Sequence, residues 1–435
     1  MGKGVESICR VAEECGACQH IDVPYDEQLK LKDARIRNLF DDNVFGSPDI
    51  RPIIGMEHPF HYRNKVASPF APDKRRHMGA RGGKGSRAIL TGMYAAGTHK
   101  LVRTDGCLVE NEQANQVIRE IRSIMVRHGI EPYDENTGRG FMRHAIVRVG
   151  HESGEVLVTL VTNDEQFPSA KAFCRQLVKR CPFITSIVQN VNTRRTNVIL
   201  GQREQRLYGP GFILDTLCGL SFRISSQSFY QVNAVQTEVL YEQAMKLAGL
   251  RGPDGLIAGQ TSPTMAIGEL ASGPTLPQQM PKRIVDAYCG TGTIGLVAAT
   301  RGAAEVIGVD SVASAIEDAR QNARHNGVEN ARFVAADATA FMRELADAGE
   351  HADIVLMDPP RAGSTPEFLD ALAALAPACV VYISCNPDTQ ARDLRHLVRV
   401  GYRIEVVQPV DMFPHTDHIE TVVLLRGEKL TDISR

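Results

Sequence analysis

The 435-residue chain contains no run of about 18 consecutive apolar residues, which argues against a helix that spans a bilayer. Its first residues, MGKGVESICR, lack the apolar segment of a signal peptide. Glu6 stands where an N-myristoylation signal needs Ser or Thr. These absences make the cytoplasm the expected location, with no membrane partner. No internal repeat is found. Hydrophobic residues at 43% and charged residues at 23% give an ordinary globular balance. The length suggests two or three domains.

A net charge of −2 conceals an uneven distribution. Residues 51–210 hold 25 Lys/Arg against 14 Asp/Glu, and residues 211–435 hold 18 against 27. A basic segment beside an acidic one suits a polyanion-binding face joined to a separate catalytic module. Residues 73–87, with six basic residues and four glycines, read as a flexible basic loop able to track phosphates. Ten cysteines without a secretion signal point to metal or catalysis rather than disulfides.

Residues 25–40 read as a helix. Residues 51–215 read as β-rich, with strand-like runs at 144–149 and 156–161. From 216 onward, apolar strands at 284–288, 305–310, 332–337, 353–358, 379–384 and 421–425 alternate with helical stretches. That alternation predicts βαβ units around a buried, mostly parallel sheet. Residues 252–282, rich in Gly, Pro, Ser, Thr and Gln, read as a flexible linker or insertion.

The strand at 284–288 runs into Gly290-x-Gly292-x-x-Gly295, which opens a helix. Glycines there let the backbone approach a ligand closely, and Asp310 ends the next strand, in reach of ribose hydroxyls. This pattern alone suits a dinucleotide as well as S-adenosylmethionine. Two further acids favour the latter. Asp286 precedes the turn, where it would meet the amino-acid end of that cofactor. Asp358 ends the fourth strand in Asp358-Pro359-Pro360-Arg361, facing the crevice, with the prolines stiffening the turn.

Cys385 lies in Ser384-Cys385-Asn386-Pro387, past the fifth strand and on the crevice side. Methylating uracil at C5 calls for a thiolate that adds to C6 and a base that later removes the C5 proton. Glu420, ahead of the last strand, is the candidate base. Cys289 is a rival nucleophile that borders the glycine turn. Cys174, Cys181, Cys218 and Cys379 read as small buried hydrophobes. His415 and His418 read as ordering the active-site loop rather than holding a metal. The spacing Cys9-x5-Cys15-x2-Cys18, with Cys107 remote, fits an iron–sulfur cubane or a tetrahedral zinc ion.

Together SFYQVN (228–233), DAYCGTGTIGL (286–296), GVD (308–310), DPPRAG (358–363), SCNP (384–387) and HIETVVLL (418–425) resemble the motifs of the RNA uracil-5-methyltransferases. The resemblance spans nearly all of the C-terminal half. It implies a class I methyltransferase domain, a Rossmann-like seven-stranded α/β sheet, over residues 216–435. A β-rich RNA-binding domain (51–215) and a cluster segment (1–50 with Cys107) would precede it. It implies that Cys385 is the nucleophile and Glu420 the base. Gln231, Tyr288, Gly290, Thr293, Asp310, Asp337 and Asp358 would line the S-adenosylmethionine pocket, with Thr293 where relatives can have Asn. Gln231 and Asp358 would also reach the uracil edge. Cys9, Cys15, Cys18 and Cys107 would hold a [4Fe-4S] cluster, with zinc as the alternative.

The cysteines place the resemblance nearest the 23S ribosomal RNA branch. Many members of that branch carry an extra β-barrel domain ahead of the cysteines, which is expected to be missing here. The expected activity is 5-methyluridine formation in 23S RNA by a monomer. The same reaction on transfer RNA is the first alternative. A NAD-dependent iron–sulfur oxidoreductase and a non-catalytic RNA-binding protein are remoter ones, since neither needs the Cys385/Glu420 pair.

Overall fold

The computed structural model describes residues 7–73, 88–98, 100–250 and 283–427. The basic stretch at 74–87 and the 252–282 segment lie outside them. The chain forms two compact units.

The first unit comprises Met1–Pro24, His58–Thr216 and Arg223–Ala234. Its seven-stranded sheet runs Leu101–Arg103, Ile89–Tyr94, Lys65–Pro72, Met142–Val149, Val156–Thr162, Ile184–Val191, Arg203–Tyr208. All neighbours are antiparallel except Val156–Thr162 and Ile184–Val191, which are parallel. A parallel pair needs a crossover, and helix Ala170–Arg180 supplies it. A second helix, Glu112–His128, starts where the Asn111 side chain accepts from the Gln113 and Ala114 amides and stops at Gly129 in the left-handed region. Val66, Ala145, Val147, Val156, Val158 and Leu160 alternate onto one core with Ile121, Phe173 and Leu177. The unit is therefore less purely β than its strand-like runs suggest, because amphipathic helices cover that apolar face.

The second unit comprises Tyr25–Glu57, Leu217–Phe222 and Val235–Arg435. Its sheet runs Asp49–Ile50, Tyr402–Val410, Glu420–Gly427, Cys379–Ser384, Ile354–Met357, Arg283–Ala287, Glu305–Asp310, Ala331–Ala335. Glu420–Gly427 is antiparallel to both neighbours, and the other pairs are parallel. Seven strands come from residue 283 onward. Asp49–Ile50 adds an eighth to the seven expected. Tyr402–Val410 was missing from the strands read in the sequence; Pro409 and a register shift between Ile404 and Val406 interrupt its pattern. Arg283–Ala287 lies mid-sheet, and its successors extend to both sides. That topology opens a ligand crevice at the carboxyl ends of the strands.

Helix Tyr25–Phe40 belongs to this second unit rather than to a segment ending at 50. Ile36 and Phe40 are buried in its core. Lys32 Nζ donates to Asp411 Oδ1 at 2.7 Å with both side chains buried. Neither charge tolerates burial alone. Among the described residues no helix is long and apolar enough to cross a membrane.

Phe173 is fully buried between sheet and helices of the first unit. Phe173→Ala is expected to lower unfolding stability by roughly 3–5 kcal/mol, as deletion of a buried aromatic ring does. A shifted urea midpoint with an unchanged m-value checks it.

Candidate active site

Acidic side chains collect at the carboxyl edge of the second unit's parallel strands. Asp286 is 1% exposed and accepts from the Gly295 amide at 2.8 Å. Burial pushes its carboxyl up to about 8; the Gly295 bond opposes this, and Asp358 and Asp310 reinforce it. A Cβ at position 295 would lie 2.7 Å from Asp286 Oδ2, so glycine is required for this approach. Asp310, half-buried, accepts from the Gly290 amide at 3.0 Å and the Val312 amide at 2.8 Å. A carboxylate held this way keeps lone pairs free for ribose hydroxyls.

The turn between these acids is left-handed at Tyr288, Gly290 and Gly292, with φ of 63°, 54° and 80°. A tyrosine in that region is strained, a feature that concentrates at functional sites. Its ring packs on Phe368 with centroids 5.0 Å apart, and its hydroxyl donates to Ser364 Oγ at 3.4 Å. No atom lies within 4 Å of where a Gly290 Cβ would sit, leaving open space for a ligand. Thr293 Oγ1 lies 2.9 Å from the buried Tyr241 hydroxyl. Asp337 caps the helix Ala338–Asp347 through the Ala340 amide and feels Tyr288 electrostatically. The space and donor set fit S-adenosylmethionine: hydroxyl acceptors, a close backbone and several carboxylates toward a cationic ligand.

The strand ladder brings the candidate nucleophile and base together. Ser384 pairs with Thr421 in the antiparallel register of Cys379–Ser384 and Glu420–Gly427. Extending that register by one step would set Cys385 opposite Glu420, and the Glu420 carboxyl acts electrostatically on the Cys385 thiol. Glu420 is 3% exposed, and burial, with Asp358 adding, raises its carboxyl well above the usual range. Burial pushes Asp358 up to about 7. Burial also pushes the Cys385 thiol up to about 11; Glu420 and Asp358 add to this, and the Arg361 guanidinium opposes it. The Asn386 side chain and Thr389 hydroxyl both donate to the Arg361 carbonyl at 3.2 Å. These bonds pin the Asp-Pro-Pro-Arg turn to the Ser-Cys-Asn-Pro turn. Cys289 is buried, with its thiol raised by burial and its Sγ 3.0 Å from where a Gly308 Cβ would sit; it packs beneath the glycine turn.

Gln231 lies in the first unit. Its carbonyl accepts from Asn64 Nδ2 at 3.2 Å, and the neighbouring Ser228 carbonyl accepts from buried Arg148 at 2.6 Å. Cys9, Cys15, Cys18 and Cys107 line one cavity of about 400 Å³ in that unit. Burial raises Cys18 to about 11 and Cys107 to about 12. Among the described residues no three His, Cys, Asp or Glu side chains converge tightly enough to hold a single metal ion. His415 faces Gln28, which accepts from its amide at 2.9 Å, whereas His418 Nδ1 lies 3.5 Å from Arg361. Tyr241 and Arg361 were missed as site members. Tyr241 sits at helical spacing among apolar residues, and nothing in its pattern marks it.

A family model described as "Conserved hypothetical protein 95" matches residues 260–403. An uncharacterized RNA methyltransferase of Halalkalibacterium halodurans is 39% identical over 97% of this chain and 83% of its own length. A protein of the same description from Listeria monocytogenes is 38% identical over 97% and 84%. Among solved structures, the Pyrococcus abyssi tRNA (uracil-54, C5)-methyltransferase in complex with S-adenosyl-L-homocysteine superposes with a TM-score of 0.70 at 26% identity. That match covers 95% of this chain and 86% of that one. Likeness at this level over nearly the whole length settles the family, and the chain belongs to the S-adenosylmethionine-dependent RNA methyltransferases.

Proposed function

We propose that the protein methylates C5 of a uridine in structured RNA through a covalent Cys385 adduct. The observation that carries this reading is the placement of Cys385 opposite Glu420 across the ladder, with Asp358 coupled to both. S-adenosylmethionine, when bound, supplies the methyl group from its sulfonium. Cys385, as thiolate, adds to C6 of the uracil, and the displaced electron pair makes C5 nucleophilic. After C5 gains the methyl, the Glu420 carboxylate takes the C5 proton. The C5=C6 bond re-forms as the C6–S bond breaks, freeing Cys385. The raised pKa of Glu420 makes it a strong base once ionised. Gly290, Asp310, Asp337, Tyr288 and Thr293 would hold the cofactor, with Gln231 and Asp358 toward the uracil edge.

Cys9, Cys15, Cys18 and Cys107 would hold a [4Fe-4S] cluster; their shared cavity supports this. A cubane spreads its sulfurs apart, whereas one zinc ion with bonds of about 2.3 Å needs them close together. Those cysteines also favour 23S ribosomal RNA as the substrate. The superposition on a transfer RNA enzyme favours the second reading, the same chemistry on transfer RNA.

Incubation with tritiated S-adenosylmethionine and unmodified 23S, 16S and transfer RNA transcripts, followed by nucleoside analysis, separates these readings. 5-Methyluridine in 23S RNA is the expected result, and label in transfer RNA alone selects the second reading. Cys385→Ala should abolish labelling while leaving cofactor binding intact. Glu420→Gln should accumulate a protein–RNA adduct that survives denaturing gels; normal turnover would remove Glu420 as the base. Protein prepared without oxygen should be brown, and Cys15→Ser should lose the colour; a colourless, zinc-loaded wild type would count against the cluster.

The raised thiol also fixes a pH dependence. A thiol held at about 11 is protonated at neutral pH, so its thiolate fraction grows with pH. Iodoacetamide labelling of Cys385 should rise roughly tenfold per unit from pH 7 to 9. Glu420→Gln removes a carboxyl that disfavours the thiolate and should speed labelling at pH 8. Peptide mass spectrometry reads both, and pH-independent labelling would overturn the assignment.

A further inference from the structure

The first unit gathers positive charge on one face of its sheet, with Arg148 buried and Arg63 and Lys65 half-buried. Lys65 and Arg148 are directly opposite in the antiparallel register of Lys65–Pro72 and Met142–Val149, so their side chains share one face of the sheet. Arg63, two residues before Lys65, lies on that face by the alternation of the extended chain. Arg148 is 6% exposed; one guanidinium nitrogen donates to the Ser228 carbonyl, while its buried Nε has no partner. Arg63 Nε is likewise buried without a partner. Glu110 feels Arg63, and both line the four-cysteine cavity. For Lys65 the neighbours that register are Arg148 and Arg63, both of the same sign.

Cations taken out of water without a full counter-charge are destabilising unless a ligand supplies the charge. A core that needed only packing would place apolar side chains here. Burial, then Arg148 and Arg63, lower Lys65 to about 8, so the free site disfavours its own third charge. An anion reverses that balance. The Arg148 fork and the Lys65 point charge together suit the non-bridging oxygens of a phosphate.

We infer that Arg63, Lys65 and Arg148 form a binding site for a phosphodiester of the RNA substrate. Arg148 also secures the 228–232 strap that carries Gln231, so a phosphate seated there lies beside the segment expected to meet the uridine. The site rests on the RNA reading above and adds to it where the backbone is gripped. A carboxylate such as that of the cofactor is another anion that this chemistry suits, and the test separates the two.

The experiment measures binding of a short fluorescein-labelled RNA hairpin to the full-length protein by anisotropy over a salt series, and S-adenosylmethionine binding by calorimetry. Lys65→Gln should weaken RNA binding roughly tenfold, as loss of one charge-assisted contact implies. The slope of log K against log salt should fall by about 0.7–1. Lys65→Arg should restore both. The melting temperature of Lys65→Gln should not fall, since it relieves repulsion between like charges. If Lys65→Gln fails to fold, Arg63→Gln takes its place with the same expected readout. Unchanged RNA affinity and slope would overturn the site, as would weakened cofactor binding with RNA binding intact. Tight, salt-sensitive RNA binding without methylation would sink the uracil-5 reading and leave this site standing.

Discussion

Parallel strands impose the constraint on which the active site depends. In a parallel sheet every strand delivers its carboxyl end to the same edge, so side chains distant in sequence become neighbours there. Asp286, Asp310 and Asp358 reach that edge from three strands, and all three are electrostatically coupled. Glu420 arrives from the antiparallel last strand, whose direction sets its first residue beside Cys385. On the proposed mechanism, the last strand's reversal is what lets Glu420 serve Cys385. A parallel strand would have carried its first residue to the opposite edge.

Crowding acids in a desolvated crevice has a chemical consequence. Burial raises the proton affinity of Asp286, Asp358 and Glu420, and neighbouring acids add to it at Asp286 and Glu420. These shifts favour the protonated forms of Asp286, Asp358 and Glu420 and the thiol form of Cys385. A cationic ligand reverses the balance, because positive charge near Asp286 and Asp358 favours ionisation. Arg361 acts in the same direction on Cys385. On the proposed mechanism, cofactor binding and activation of Cys385 would be linked by electrostatics.

Much of this was legible in the sequence, and the reasons are specific. The glycine turn, Asp310, Asp358 and Cys385 sit at strand ends, and strand ends can be read from apolar runs followed by Gly, Pro or Asn. The strands beginning at 305 and 379 start where the apolar runs begin. Tyr402–Val410 escaped because a proline and a register shift blur its alternation. The assignment of residues 25–57 to the second unit escaped because it depends on Lys32 finding Asp411, a partner 379 residues away. Tyr241 was hidden because a buried tyrosine on a helix looks like core until its hydroxyl partner is known.

The basic excess of residues 51–210 was visible as composition and suited a polyanion-binding face, but composition does not say which side chains form it. The structure divides that excess into two kinds. Most of the described basic residues are paired or exposed, as Arg180 with Glu120 or Arg203 with Glu165. Arg63, Lys65 and Arg148 instead gather on one face of the sheet without an ion pair among the described residues. The second unit shows the mirror image, with Asp286 and Glu420 buried, Asp358 half-buried, and none of them in an ion pair among the described residues. In each unit the unpaired buried charge is the informative part, since folding alone selects against it. A catalyst that binds a polyanion and a sulfonium must leave charges of both signs unpaired in the free state. Its stability is lowered at the two places where its ligands raise it again.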